Sequence, residues 1–226
     1  MSHSVHPYSH RLGIIRDWKS RWIARDKNYR TALKVDIIIR KYLTDALRSF
    51  YLSDIQIERN QKSLKVIIRS SRPGMIIGRS GDGVVKLRDK ILALLKKRGS
   101  DLSGQEFKLD IEEVRNPESN AAIVAMMIAE GLEKRLPFRR VMKQTLEKVI
   151  ASKEVKGAKI KLSGRLGGAE MARREDLKKG QIPLQTLRAD IDFAREKAHM
   201  TYGDIGIKVW IYKGQIFEKD LKNLKQ

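Results

Sequence analysis

The chain has 226 residues, with 48 Lys and Arg against 27 Asp and Glu and a formal net charge of +21 at pH 7, and that length suffices for one or two domains with real cores. A pI near 10.2 with 33% charged residues points to a polyanionic partner, nucleic acid rather than a membrane surface, since no long apolar span is present. The absence of cysteine excludes disulfides and cysteine-ligated zinc and fits a reducing compartment, and with no secretory-signal pattern at the start the expected location is the cytosol.

Residues 2–29 hold a dense cationic run, Arg11, Arg16, Lys19, Arg21 and Arg25, interleaved with Trp18 and Trp22. Such a stretch reads as an arm that orders on RNA, its cations meeting phosphates and its indoles stacking. The alternative is an amphipathic strap packed on its own domain. His3, His6 and His10 have a spacing that fits one helical face, but no acidic or thiol co-ligand is near and no metal is expected.

Residues 30–50 form an amphipathic helix, with Val35, Ile39, Leu43, Ala46 and Phe50 on its apolar face. Two strands follow, 54–58 and 63–70, turning at Asn60. Residues 72–83, RPGMIIGRSGDG, then place a Gly-Arg-Ser-Gly turn between a short helix ending at Ile76 and Ile77 and a second helix running to Lys97. Val84, Leu87, Ile91 and Leu94 make the stripe of that second helix. Glycines at 78 and 81 let backbone N–H groups face outward beside a helix N-terminus, an arrangement that binds phosphate. Alone, G-x-x-G also describes any tight helix-to-helix turn. A third strand at 105–114 carries Phe107, Leu109 and Ile111 on one face.

Asn116 and Pro117 have the residue types that open a helix and are expected to begin a second domain. Residues 121–136 are helical and apolar, Pro137 interrupts, and a further helix covers 138–152. On it Arg139, Arg140, Lys143, Gln144 and Glu147 fall within about 140° of arc, opposite Val141, Met142, Leu146 and Val149. The cations mark either a contact surface or an ordinary solvated face. A strand at 156–162 leads into the glycine-rich SGRLGGAEMARR, residues 163–174, which lacks the G-K-[ST] of a nucleotide-hydrolysing loop. Alternation predicts strands at 184–196 and 205–212, and residues 213–226 read as a charged tail. Asp190 and Asp192, at i and i+2, are the strongest hint of a metal-dependent nuclease; the other reading is ion pairing with neighbouring arginines.

The order helix, strand, strand, helix, turn, helix, strand around IIGRSG resembles a bacterial-type KH domain over residues 30–115. The resemblance implies that Gly78, Arg79, Ser80 and Gly81 touch the backbone of about four nucleotides of single strand, with Arg72, Ile76 and Ile77 beside the groove. No paired exposed aromatics of the kind an RRM needs are present on this platform. Across the whole chain, VHPYSHRLGIIRDWKSRW, the KH core, FRRVMK, SGRLGGAE, PLQTLRADIDFA and TYGDIGIKVWIYKG together resemble the bacterial family of small-subunit ribosomal protein three.

That resemblance implies an α+β fold of two domains. The first is a type II KH domain, a three-stranded sheet with helices. The second is an α/β domain with two helices on a small, mainly antiparallel sheet. The expected division is an arm at 1–29, the KH domain at 30–115, the C-terminal domain at 116–213 and a tail at 214–226. It further implies a non-enzymatic constituent of the subunit head, bound to the 3′ domain of small-subunit rRNA and lining the channel through which mRNA enters. There Arg139, Arg140 and Lys143 would assist passive unwinding of structured mRNA. The rRNA contacts implied are Arg11, Arg16, Trp18, Lys19, Arg21 and Trp22 in the arm, and Lys161, Arg165, Gly167, Gly168, Arg173 and Arg174 in the second domain. Ribosomal proteins ten and fourteen would be head neighbours, four and five would flank the mRNA path, and no cofactor, metal or membrane is implied. Ser2, His3, Ser4, His6 and His10 depart from the family's usual residues. A free KH-type regulator of mRNA or transcription is the rival from another class.

Overall fold

The computed structural model describes residues 5–99 and 104–217, which gather into two compact units, one of Trp18–Arg115 and one of Met1–Asp17 with Asn116–Gln226. The N-terminal segment is thus shared: helix α1 (Pro7–His10) belongs to the second unit, and the part of the segment from Trp18 on belongs to the first. His3 and the tail beyond residue 217 lie outside the described residues.

The first unit runs β1 (Ser20–Arg21), α2 (Asp26–Ala46), β2 (Leu52–Arg59), β3 (Ser63–Ser70), α3 (Pro73–Ile77), α4 (Asp82–Lys97) and β4 (Glu106–Glu113). Its sheet has the order β1-β2-β3-β4; β2 and β3 are antiparallel, and β3 and β4 are parallel. The expected three strands therefore gain a fourth, since Ser20 and Arg21 pair with Ile57 and Glu58. A two-residue strand has no alternation to read, so its pairing depends on the neighbouring strand alone. What fixes the segment is buried Asp36 on α2, whose Oδ2 accepts from Ser20 Oγ at 2.9 Å and Trp22 Nε1 at 3.0 Å. Helix α2 begins earlier than its apolar period indicates and sinks Ala32, Val35, Ile39 and Leu43 against the sheet.

The second unit adds α5 (Ala121–Glu133), α6 (Phe138–Ala151), β5 (Gly157–Gly164), β6 (Arg173–Gly180), β7 (Ala189–Met200) and β8 (Gly203–Gln215). The sheet order is β6-β5-β8-β7, antiparallel throughout. Both helices lie on one face of it. Val124, Ile128, Leu132, Val141, Met142, Leu146 and Val149 meet Ile160, Leu162, Ile207, Val209 and Ile211 there. The cap of α5 is Asn120 rather than Asn116: its Oδ1 accepts from the N–H of Ala122 at 3.0 Å and Ile123 at 3.3 Å, while Pro117 starts a 3-10 turn. Strand β6 was not expected. Its sequence, RREDLKKG, is nearly all charged, as befits an edge strand that must resist further pairing, and so gives no apolar alternation. Strand β7 begins at Ala189, not at 184, because the carbonyls of Leu184 and Thr186 accept from the Arg11 guanidinium of the N-terminal segment instead of joining the sheet.

Candidate nucleic-acid interface

In the first unit, α3 ends where Gly78 N–H donates to Gly74 O at 3.0 Å. Gly78 has φ +71° and Gly81 φ +85°, with Ser80 between them at φ +53°, so the chain reverses within the turn and enters α4 with its first N–H groups outward. Ile76 is core, whereas Ile77 (37% exposed) and Met75 (60%) face solvent beside the turn. Arg79 and Ser80 are exposed. The Arg72 guanidinium sits 4.5 Å from the Tyr51 ring centroid, a cation–π contact that fixes the side chain at the mouth of the turn. Gly83, which closes the stretch, is required by packing that the turn pattern does not show. A Cβ there would lie 2.3 Å from Ile76 O and 2.8 Å from Ile77 O, so α4 can start beneath α3 only with glycine at this position.

The N-terminal segment is a strap more than a free arm. Arg11 is fully buried, and its guanidinium donates to Ala189 O at 2.6 Å, Pro7 O at 3.0 Å, and Leu184 O and Thr186 O at 2.9 Å each. Four of its five donors are spent inside the protein, which corrects its assignment to RNA contact. Burial lowers its pKa from the ordinary arginine value, partly opposed by Asp190. Arg16 binds Asp190 at 2.6 Å, Lys19 binds Asp54 at 2.9 Å and Arg21 meets Glu58 at 3.3 Å. Trp22 gives its indole N–H to Asp36, and Trp18 is 61% exposed. Asp192 accepts from Ala121 N–H at 2.8 Å and from its neighbour Phe193 N–H at 3.0 Å. Both acidic residues of the nuclease reading therefore hold the fold together. Among the described residues no group of three or more His, Asp and Glu is placed to hold a metal.

Helix α6 presents the expected stripe. Val141, Met142, Leu146 and Val149 are buried while Arg139, Arg140, Lys143, Gln144 and Glu147 are exposed. Phe138 props the start of the stripe, with Arg139 at 5.6 Å and Arg173 at 5.4 Å from its ring. Glu175 on β6 lies 3.5 Å from Arg139 Nη2 and 3.4 Å from Arg173 Nε. Removing that carboxylate by Glu175→Gln is expected to tighten binding of single-stranded RNA about two- to fivefold, as exposed ion pairs are worth up to about 1 kcal/mol. Fluorescence anisotropy at low salt reads this; weaker binding would mean that Glu175 is needed to hold Arg139 in place.

The glycine loop of the second unit comes next. Gly167 and Gly168 have φ +70° and +81° and pass close to Phe138 and Tyr202, respectively. Arg165 Nε donates to Ala169 O at 2.9 Å, and its guanidinium stands 5.2 Å from the exposed Tyr202 ring. Arg173 and Arg174 are exposed on β6, and Lys161 lies half-buried on β5. Beside it, a hydrogen bond from Lys159 holds the Asp176 carboxyl below the usual carboxylate range.

Comparison with known proteins matches residues 38–119 to the family described as KH domain and residues 128–211 to ribosomal protein S3, C-terminal domain. Small ribosomal subunit protein uS3 of Caldicellulosiruptor bescii is 49% identical over 216 residues, 96% of this chain and 94% of that protein. The uS3 protein of Clostridium novyi is 44% identical over 216 residues (96% and 94%), and that of Blochmanniella floridana 44% identical over 221 residues (98% and 90%). With similarity of this order across nearly the full length of each protein, and with a KH unit and an S3-type C-terminal unit both folded as described, the chain belongs to the uS3 family of small ribosomal subunit proteins.

Proposed function

We propose that the chain is a structural, non-enzymatic constituent of the small ribosomal subunit that binds the 3′ domain of the subunit's rRNA in the head and lines the path by which mRNA enters. The observation that carries the second half is the α6 stripe: Arg139, Arg140 and Lys143 stand exposed on a helix whose opposite face is fixed in the core. Cations held rigidly at a narrow opening favour separated strands over duplex through phosphate contact, while the ribosome itself supplies directional work. Proteins four and five complete that opening in this reading, and proteins ten and fourteen adjoin the chain in the head. The KH turn, with Arg72, Arg79 and the N–H groups of Gly78 to Gly81, is a second RNA contact.

The test is a reconstituted translation system carrying Arg139→Ala, Arg140→Ala and Lys143→Ala together. Translation through a stable hairpin is expected to slow several-fold while an unstructured message and subunit assembly are unaffected; hairpin passage at the wild-type rate overturns the reading. Sedimentation in high salt separates it from the free-regulator alternative, which predicts release from the subunit.

A further inference from the structure

The first unit has a groove of about 1640 Å³ beside its N-terminal segment. One wall is the chain from Trp18 to Arg25; the others are the first turns of α2, the β2–β3 turn and Gln105. Past β1 the chain runs to Arg25, itself extended at φ −110° and ψ 146°, before α2 begins. Ile23 on this stretch is 97% exposed, and among the described residues neither Ile23 nor Ala24 makes a backbone hydrogen bond. A short edge of open N–H and C=O groups beside an uncovered aliphatic side chain is a template for a further strand.

Arg21, Arg25, Lys34 and Arg59 line the groove, and among the described residues no carboxylate does. Two of these cations are engaged: Arg21 meets Glu58 at 3.3 Å, and Lys34 Nζ donates to Arg98 O at 3.2 Å. Arg25 is exposed and makes no ion pair among the described residues. Arg59 is the exceptional one. Its side chain is only 13% exposed, and Asp36 Oδ1 stands 4.0 Å from Nη2, beyond hydrogen-bond range. Its buried Nε and Nη2 have no hydrogen-bond partner, and the other oxygen of Asp36 is taken by Ser20 and Trp22. Burial lowers the Arg59 pKa from the ordinary arginine value, opposed by Asp36. Buried donors are ordinarily paired, and the Nε and Nη2 edge of a guanidinium matches the two oxygens of a carboxylate.

We propose that this groove docks an extended, acidic segment of another protein, which adds as a strand beside Ile23 and Ala24, covers the Ile23 side chain and brings carboxylates to Arg59 and Arg25. The proposal goes beyond the ribosomal reading above and does not depend on it. Pockets for small molecules hold roughly 300–1,000 Å³, so this open groove suits a chain segment better than a compact ligand. A nucleic-acid strand could use the cations, but it has no ladder of backbone groups for Ile23 and Ala24 and no aliphatic surface to cover Ile23. An alternating acidic and apolar peptide supplies all three.

The test uses the full chain and a fluorescein-labelled octapeptide of alternating glutamate and valine. A control peptide has proline at every second valine and cannot complete a ladder. Saturable anisotropy binding of the first peptide is expected. Arg59→Gln should weaken it about tenfold, through loss of charge-assisted bonds, Ile23→Ser about three- to tenfold and Arg25→Gln about two- to fivefold. Lys90→Gln, which removes a charge from α4 away from the groove, should have less effect than any of them. Ile23→Ser and Arg25→Gln lie at the surface and stay readable even where Arg59→Gln melts early. Amide exchange at Ile23 and Ala24 should slow when the peptide binds. No saturable binding at millimolar peptide, equal affinity for the proline peptide, or unchanged exchange at both amides overturns the proposal. So does a uridylate octamer that protects the same amides and displaces the peptide at equal charge concentration, which would make the groove a nucleic-acid site. Absent peptide binding with the hairpin test passed strikes this proposal and leaves the mRNA reading standing, so the two fail separately.

Discussion

Arg11→Met is expected to destabilise the second unit by about 3–5 kcal/mol, because each buried acceptor left without its donor costs about 1–3 kcal/mol and four carbonyls depend on this one guanidinium. The side chain joins α1 to Leu184 and Thr186, in a stretch with no helix or strand of its own, and to Ala189 at the start of β7. Arg11→Lys keeps the charge but replaces a planar fork with a single ammonium that cannot reach four separated oxygens, and it should recover less than half of the loss. Urea denaturation followed by circular dichroism measures both. A methionine variant within about 1 kcal/mol of wild type would show that the strap adds little to the fold. Because Arg11 is buried, RNA affinity of the folded variant should change only through stability, in contrast to the exposed cations of α6.

The second large effect is expected at Gly83, where alanine places its Cβ against the carbonyl oxygens of Ile76 and Ile77. Backbone cannot rotate aside as a side chain can, so the α3–α4 junction must open, at about 3 kcal/mol by comparison with overpacked cores. Two neighbours separate sterics from backbone conformation. Gly81→Ala meets nothing within 4 Å but keeps φ +85°, and left-handed backbone costs an alanine about 1–2 kcal/mol. Gly74→Ala also meets nothing and has no positive φ, so it should be neutral or gain up to about 1 kcal/mol. Thermal melting should therefore rank 83 below 81 below 74, and single-stranded RNA binding through the KH turn should fall in the same order. An alanine at 83 that melts with the wild type would mean that the helix junction is looser than its geometry implies.

Much of the architecture was readable in advance where the pattern was long and periodic. The strand at 63–70 was expected with the bounds it has, and the buried and exposed faces of α6 fall where the helical period puts them. Short or fully charged pieces were not readable. Strand β1 exists because Asp36 and β2 receive it, and β6 because β5 offers an edge; neither has a periodic signal. Asn116 and Asn120 are the same residue type near the same helix, and only the turn at Pro117 decides which one caps it.

Composition and motif spacing by themselves determined that the protein is basic, carries a G-x-x-G turn between helices and displays a cationic helix face, since each is a property of residues close in sequence; the division into two α+β units was what the family resemblance implied. Tertiary structure alone decided what each cation does. Arg11 and Arg139 look alike in the sequence, yet one is buried among four carbonyls and the other is exposed at the start of α6. Lys161, Lys208 and Arg195 become neighbours only through strand register. The physical reason is that a charge is satisfied or left open by groups distant along the chain, and local periodicity carries no information about which of them will arrive.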